Sequence, residues 1–540
     1  MPVFQSRLDI HTEEFAANRR EMMALIDEMG TLEQRAVDVS NRRRPVFEQR
    51  NQVPPYDRVT KLLDQDMPFL RLHSLSNYLY EDPDPDTSVP GASMIVGVGF
   101  VSGVRVMIWV DDSGIRAGSY TKNTVDTALS IQKIALRQNL PLVHLVESAG
   151  ANLMDFSVEN WIGAGAMFRN LAWFSASGLP VVTVLHGPST AGGAYMPGMS
   201  DYVIGVKKNG LAALGAAALV KAATGEVADD RELGGSEMHA TTTGLVEYLA
   251  EDDADGIALA RRVVSNLDWN RDGRWRAPPS YEEPLYDLED IVGLGPVDYR
   301  VGYDSHELIA RLVDGAVIDD FKPDYGATMI CAHVSIMGIR CGLLANNGPI
   351  DPQGANKAAQ FMQLCDQADL PLVFLSNITG YMVGVEYEQA GMIKAGAKMI
   401  QAVSNVQVPK ITLYCGASYG AGNYGMCGFS YEPDFLFAWP NASSHVMGGE
   451  QAARTMTQVA EVAAERRGEV PDREALAAQE ARIISHFSAQ ESAFYSAGRN
   501  LSHAVIDPRD SRQAIGFALA TCLEGRAHSP KKLSFGVGRM

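Results

Sequence analysis

One pattern of apolar and small residues occurs twice in this chain. The first copy runs from Leu179 to Gly187 and continues into Ala191–Tyr195; the second runs from Val408 to Gly416 and continues into Gly420–Tyr424. Each copy has a proline near its start, a short apolar run, a glycine and a group of small residues, which predicts a buried strand and a turn that opens a helix. The offset is constant, since 409−180, 416−187 and 424−195 all give 229.

The segments before each copy follow the same order. The first half predicts strands at 92–100 and 104–110, a helix at 124–138 and a strand at 140–146. The second half predicts strands within 334–345, a helix that includes 358–365 and a strand at 370–375, with Pro371 placed 230 residues after Pro141. A repeat of this length indicates a duplicated domain, because solenoid periods are about 20–50 residues. Alternating helices and near-continuous apolar strands predict an α/β fold with crossover connections.

The duplication sets the expected domain boundaries. Residues 1–70 predict a charged helical segment, 71–280 an N-terminal lobe and 301–540 a C-terminal lobe. Proline and acidic residues between Trp275 and Asp290 are typical of a linker, which we place at 281–300, with the boundary near 275–300.

Composition narrows the class of protein. The chain has 540 residues, 46% hydrophobic and 21% charged, a composition typical of globular proteins and a length sufficient for two or more domains. The net charge of −19 argues against nucleic acid or an anionic membrane as a partner. The chain has no apolar run near the roughly 20 residues that span a bilayer, and its start lacks a signal sequence. Six cysteines without CxxC spacing indicate reduced thiols in a cytoplasmic protein and no metal site.

The glycine-rich turns carry the candidate chemistry. Small residues let another molecule approach the backbone closely. Backbone N–H groups at such a turn, at the start of a helix, favour negative charge. The sequence therefore predicts two oxyanion sites, one in each lobe.

Several motifs in order carry a family resemblance. They are Ala191–Tyr195, Leu219–Glu226, Glu232–Gly235 with His239, Asn346–Gly348, Asn377–Gly380, Gly420–Met426, Trp439–Ala442, Val446–Ala453 and Ile506–Pro508. Together they resemble the carboxyltransferase (β) subunit of biotin-dependent acyl-CoA carboxylases over about residues 50–540. Asn377–Gly380, Val446–Ala453 and the C-terminal Phe-Gly-Val-x-Arg-Met are most similar to the methylcrotonoyl-CoA and geranyl-CoA branch.

The resemblance implies a specific architecture. It implies two crotonase-like lobes (ββα superhelices), a homo-hexamer built as a dimer of trimers, and an active site between the N lobe of one subunit and the C lobe of another. Carboxybiotin would arrive on a biotin carboxylase and carboxyl carrier partner, with a coenzyme A thioester as the substrate and no metal on this chain. The product would be a carboxylated acyl-CoA, made by a ligase complex through an enolate.

The resemblance also implies site residues. Gly192 and Gly193 would hold the enolate oxygen of the acyl-CoA, and Ala421 and Gly422 would hold the ureido oxygen of biotin. The further substrate-binding candidates are Ala164, Gly118, Ala194, Tyr195, Asn377, Gly380 and Tyr424.

Ala164 bears on the choice of acyl-CoA. It stands where the methylcrotonoyl enzymes of the family carry phenylalanine and the geranyl enzymes glycine. A small residue leaves room for a longer acyl chain. We therefore expect methylcrotonoyl-, geranyl- or another medium-length or branched acyl-CoA, ahead of propionyl- or acetyl-CoA.

Three alternatives compete with this interpretation. Gly416–Gly420 matches the G-x-S-x-G turn of hydrolases, with Asp434 and His445 following in the required order, but the repeat mate of Ser418 is Ser189, around which the pattern is lost. A crotonase-fold hydratase or decarboxylase could use Glu147 as an acid or base, although an ion pair is the simpler role. A non-catalytic scaffold would not need intact glycine turns in both lobes.

Overall fold

The computed structural model describes residues 3–151, 156–269, 280–468 and 470–539, without the side chain of Ala218. The chain forms two compact units. The N unit comprises Gly30–Ala277, Gly498–Asn500 and Ala520–Met540, and the C unit comprises Met1–Met29, Pro278–Ala497 and Leu501–Leu519. Helix α1 (Glu13–Asn41) begins in the C unit and ends in the N unit.

One sheet forms the centre of the N unit. Among the described residues it has eight strands: β1 (Leu70–Leu72), β2 (Met94–Val101), β3 (Val104–Asp111), β4 (Leu142–Ser148), β5 (Val181–Thr190), β6 (Tyr202–Val206), β7 (Leu211–Ala213) and β8 (Tyr248–Ala250). The order is β1-β2-β3-β4-β5-β6-β8, with β7 paired to β5. Strands β1, β2 and β3 pair antiparallel, and β3, β4, β5 and β6 pair parallel.

Helices cover this sheet. They are α2 (Arg44–Gln49), α3 (Pro55–Leu62), α4 (Lys122–Arg137), α5 (Val158–Ala176), α6 (Tyr195–Gly198), α7 (Ala217–Thr224), α8 (Asp230–Gly234), α9 (Ser236–Met238) and α10 (Asp253–Asn266). Every residue of β2, β3 and β4 is buried, as their apolar sequences predict. Helix α4 is capped by the Thr121 side chain and buries the apolar face that includes Ile131 and Ile134.

The C unit repeats this plan. Its described strands are β9 (Asp319–Asp320), β10 (Met329–Ile336), β11 (Ile339–Asn346), β12 (Leu372–Ile378), β13 (Lys410–Tyr419), β14 (Phe435–Ala438), β15 (Ser443–His445) and β16 (Ala504–Val505). They form a sheet of order β16-β14-β13-β12-β11-β10-β9, with β15 paired to β13.

The helices of the C unit follow the same alternation. They are α11 (Ser305–Leu312), α12 (Pro352–Gln367), α13 (Val385–Gln389), α14 (Met392–Asn405), α15 (Gly420–Gly425), α16 (Gly449–Arg467), α17 (Arg473–Ser488), α18 (Ala493–Gly498) and α19 (Ser511–Ala527). Helices α18 and α19 begin in the C unit and end in the N unit. Helix α12 buries Ala358, Phe361 and Cys365, whereas Leu364 is 38% exposed.

The predicted α/β class is confirmed, with one sheet of eight described strands in each unit. The domain boundaries near residues 70, 280 and 300 remain predictions, and the part of the linker before residue 280 lies outside the described residues. All six cysteines are buried free thiols. None of the described helices has the length and apolar composition needed to cross a membrane.

Candidate functional site

Two equivalent loops lie where β5 and β13 end. The N loop, Ala191–Ala194, is a 3-10 turn that leads into α6, and the C loop, Gly420–Asn423, opens α15. Ala191 and Gly420, which are 229 residues apart, both have a φ of +54°. This left-handed conformation disfavours alanine, so the N loop holds a strained residue where its mate has glycine.

The two loops also share a pattern of exposure. Gly192 and Ala421 are exposed, whereas Gly193 and Gly422 are buried. The first N–H groups of a helical turn have no partner inside the turn. The amides of the two loops remain the predicted oxyanion donors.

Helix α5 lies beside the N loop. A Cβ on Gly192 would come 3.8 Å from Phe168 Cζ, and the Phe168 ring meets the Tyr195 ring edge-on at 6.1 Å. Ala164 precedes Phe168 by one helical turn, so it lies on the same face of α5. Phe168 and Tyr195 thus lie beside Gly192, and Ala164 lies one helical turn from Phe168.

Gly118 lies against the end of β4. Its φ is +67°, and a Cβ there would clash with the Glu147 carbonyl oxygen. The Ser148 hydroxyl donates to the Gly118 carbonyl at 2.6 Å. Gly118 is buried where the 116–120 turn packs against β4, and its part in substrate binding stays a prediction.

The end of β12 lies against the C loop. A Cβ on Gly422 would come 2.8 Å from Ile378 Cγ1 and 3.1 Å from Gly380 Cα. Asn377 uses its Oδ1 to accept from the Ala417 amide at 3.2 Å. The Tyr424 ring is half-exposed beside Tyr431, at 5.6 Å between centroids. Asn377, Gly380, Ala421, Gly422 and Tyr424 are therefore grouped in the C unit.

A cavity of about 840 Å³ adjoins this group. Thr379, next to Gly380, and Tyr419, next to Gly420, both line it, and the Tyr419 hydroxyl lies 2.7 Å from Ser443 Oγ. Residues Gly448–Gln451, where α16 begins, form another wall. A cavity of this size accommodates a small organic ligand.

Uncharged side chains of β13 form hydrogen bonds with the C loop. Asn423 Nδ2 donates to Tyr414 Oη at 2.9 Å and to Ser418 Oγ at 2.8 Å. Burial raises the pKa of Tyr414 and the pKa of Cys415 to about 12, so both groups are uncharged at pH 7.

The hydrolase arrangement is not assembled. Ser418 is 1% exposed and bonded to Ser376 and Asn423. Asp434 accepts from the Lys410 amide at the start of β13, about 26 Å along the strand from Ser418. His445 pairs through its backbone with Tyr419, whose side chain faces away from that of Ser418.

Glu147 is a buried ion-pair residue. It is 4% exposed, and its Oε2 lies 2.6 Å from Arg58 Nη2. Its Oε1 accepts from Gln52 Nε2 at 3.1 Å. This arrangement confirms the ion-pair expectation and gives no support to an acid–base role.

Sequence reasoning missed residues that come from distant parts of the chain. Gln52 and Arg58 reach Glu147 from the helical segment, and Ser443 reaches Tyr419 from β15. Only Tyr419 had a local signal, because it directly precedes the C loop. In the part of the chain that the structure describes, no group of three or more His, Cys, Asp or Glu residues is arranged to hold a metal ion.

Comparison with known proteins identifies the family to which the chain belongs. Residues 48–535 match the carboxyl transferase domain family. The chain is 44% identical to a probable biotin-dependent acyl-coenzyme A carboxylase beta2 subunit of Mycobacterium tuberculosis, over 91% of each chain. It is 42% identical to the mitochondrial methylcrotonoyl-CoA carboxylase beta chain of Dictyostelium discoideum, over 90% of this chain and 82% of that one. The crystal structure of the P. aeruginosa geranyl-CoA carboxylase beta subunit superposes with a TM-score of 0.91 and 43% identity, over 100% of both chains.

Proposed function

Because this chain belongs to the carboxyl transferase domain family, as a carboxyltransferase of the biotin-dependent acyl-CoA carboxylase type, we propose how its two units divide the reaction. The N unit binds the acyl-CoA and the C unit binds carboxybiotin, which a biotin carboxylase and carboxyl carrier subunit delivers. Each unit is a crotonase-like lobe, the lobes arise by duplication, and the protein works as a cytoplasmic hexamer, a dimer of trimers.

The pair of equivalent loops carries this proposal. Two anions must be stabilised during the transfer, and the chain has two equivalent loops 229 residues apart. Their first residues share a φ of +54°, and the residues that follow share one pattern of exposure. The amides near Gly192, Gly193 and Ala194 hold the enolate oxygen of the thioester, and those of Ala421 and Gly422 hold the ureido oxygen.

The cavity beside the C loop suits a cofactor of this size. Its volume of about 840 Å³ and its polar groups, among them Tyr419 and Ser443, fit a ureido ring that is held by hydrogen bonds. The bound cofactor would supply the CO2 and a nitrogen that accepts a proton from the acyl-CoA. The raised pKa values of Tyr414 and Cys415 mean that neither side chain carries a charge near the base of the C loop at pH 7.

The acyl pocket follows from Ala164. A Cβ on Gly192 would come 3.8 Å from Phe168, and Ala164 lies one turn away on the same helix face, so a small residue here leaves space close to the N loop. We propose a medium-length or branched acyl-CoA, such as methylcrotonoyl- or geranyl-CoA, as the substrate.

The test is ATP-dependent fixation of labelled bicarbonate with a cognate biotin carboxylase subunit, across propionyl-, methylcrotonoyl-, geranyl- and octanoyl-CoA. Fixation on one substrate, lost at least about a hundredfold in Gly193→Val and Gly422→Val, supports the assignment. Gly198→Val and Gly302→Val are matched controls, because a Cβ at either position meets no atom within 4 Å. No fixation in an assembled complex with an active partner would instead favour a hydratase or decarboxylase.

A further inference from the structure

Buried polar side chains hold the end of β5, immediately before the N loop. Gln52 Nε2 donates to the His186 carbonyl at 2.9 Å and to Glu147 Oε1 at 3.1 Å. Arg58 Nη2 pairs with the other Glu147 oxygen at 2.6 Å. Gln52, Arg58 and Glu147, which we call the support cluster, are each at most 6% exposed.

The support cluster reaches the N loop through β5. A Cβ on Gly187 would come 2.6 Å from Glu147 Cγ, so the Gly187 backbone lies directly on the Glu147 side chain. Two residues later, the Ser189 hydroxyl donates to the Gly193 carbonyl at 2.8 Å. The position of Glu147 therefore limits where Gly193 and its amide can lie.

The C unit makes the equivalent contact with one neutral side chain. A Cβ on Gly416 would clash with Oδ1 of Asn377, which is 230 residues after Glu147, and this oxygen accepts from the Ala417 amide at 3.2 Å. The N-unit mate of Ala417 is Pro188, which has no N–H to donate. Glu147 consequently needs donors from elsewhere.

Those donors come from the helical segment before the duplicated lobes. A buried carboxylate is costly unless it is paired and hydrogen-bonded. Arg58 supplies the opposite charge and is itself held by Asp253 Oδ2 at 3.2 Å, while Gln52 joins Glu147 to the β5 backbone. Gln52 thus connects the segment directly to the strand that carries the N loop.

We propose that Gln52, Arg58 and Glu147 are positioning residues for the N loop, so that the helical segment takes part in holding the acyl-CoA enolate. This inference rests on the proposed function. The support cluster acts on the acyl-CoA half of the reaction only, because its contacts lie in the N unit.

The test compares Gln52→Met, which keeps the volume but removes both donated hydrogen bonds, with Gln49→Ala, an exposed residue of the same type in the same segment. In Gln52→Met we expect kcat for acyl-CoA carboxylation to fall about tenfold, with KM for acyl-CoA within about twofold. Decarboxylation of carboxybiotin without acyl-CoA, which reports on the C loop, should stay at the wild-type rate. A kcat equal to that of Gln49→Ala, or an equal loss in both reactions, would overturn the proposal.

A second measurement needs no catalysis. Hydrogen exchange of peptides covering 187–195 should be faster in Gln52→Met, whereas exchange over 416–424 should match wild type. If wild type fixes no bicarbonate but this exchange difference is present, the support role stands and the proposed function fails. Unchanged exchange over 187–195 would overturn the support role, whatever the activity.

Discussion

Asp111 and Asn346 make the same hydrogen bond in the two units. Each is the last residue of its strand, β3 or β11. Asp111 Oδ2 accepts from the Glu147 amide at 3.2 Å, and Asn346 Oδ1 accepts from the Asn377 amide at 3.4 Å. The N unit therefore carries carboxylates at two positions where the C unit carries neutral amides.

Asn346→Asp should destabilise the protein in a pH-dependent way. The site is 3% exposed and receives one amide hydrogen bond, so an ionised carboxylate there is under-solvated and its pKa rises. Since the unfolded chain ionises at lower pH, the loss of stability should grow as pH rises above about 4. Thermal unfolding between pH 4.5 and 8 checks this, with exposed Asn405→Asp as control; a pH-independent difference would contradict it.

Gly187→Ala should lower the midpoint of thermal unfolding. The added methyl meets the Glu147 side chain at 2.6 Å, and Glu147 is fixed by Arg58, so overpacking by about 1–3 kcal/mol is expected. Gly163→Ala, in α5 with no atom within 4 Å of the new Cβ, should be neutral or slightly stabilising. Equal midpoints for the two variants would show that Glu147 can move aside.

Ser418→Ala should retain carboxylation. The hydroxyl is buried and accepts from Asn423, so its removal loosens a support of the C loop without removing a nucleophile. We expect kcat within about tenfold of wild type and a lower unfolding temperature. A loss of kcat of several thousandfold in the variant, together with a covalent ester on Ser418 of the wild-type protein in mass spectrometry, would instead identify a hydrolase.

Ala164→Phe should shift selectivity towards short acyl-CoA. The aromatic ring would fill the space one turn from Phe168. We expect kcat/KM for geranyl- and octanoyl-CoA to fall at least about tenfold, with that for short substrates changed less. Competition assays with mixed acyl-CoA measure the ratio directly, and Ala172→Phe, at an exposed position of the same helix, is the control. An unchanged ratio would remove Ala164 from the acyl pocket.

Deprotonation of His306 at alkaline pH should destabilise the C unit. Burial disfavours its charged form, but hydrogen bonds to Asp304 at 2.8 Å and Asp320 at 3.4 Å outweigh this and raise the pKa of His306 to about 9. The charged pairings stabilise fully below the unfolded pKa of about 6.5 and are lost as pH rises through 9. Unfolding temperatures at pH 6 and 9.5 should differ more in wild type than in His306→Asn; equal differences would contradict this.

Strands β2–β5 and β10–β13 could be predicted because each is a buried apolar run bounded by proline or glycine, whereas β1, β6–β9 and β14–β16 were not predicted. The ends of β5 and β13 could not be predicted: β5 continues past Gly187 to Thr190 and β13 past Gly416 to Tyr419. The extra residues pair with β7 and β15, which follow later in the chain, and periodicity contains no information on such pairing.

The candidate loops were predicted from glycine content, but their surroundings were not. The strained φ of Ala191 is visible only through its mate Gly420, and the Gln52 contact with Glu147 joins residues 95 apart in sequence. The choice of Ala164 came from the family resemblance, and its role stays a prediction; Phe168, one helical turn later, lies beside Gly192. Local pattern thus locates the loops, and long-range contacts decide what holds them.

Residues near the C-terminus of the chain form hydrogen bonds with helix α4 and the turn after it in the N unit. Asn123 Nδ2 donates to the Gly498 carbonyl at 2.8 Å, and Asn139 Nδ2 donates to the Gly525 carbonyl at 2.8 Å. A gene truncated after residue 280 would therefore encode a half without part of its own scaffold. Because residues 498–500 and 520–540 belong to the N unit, cutting the chain between the two predicted lobes would not separate the two units.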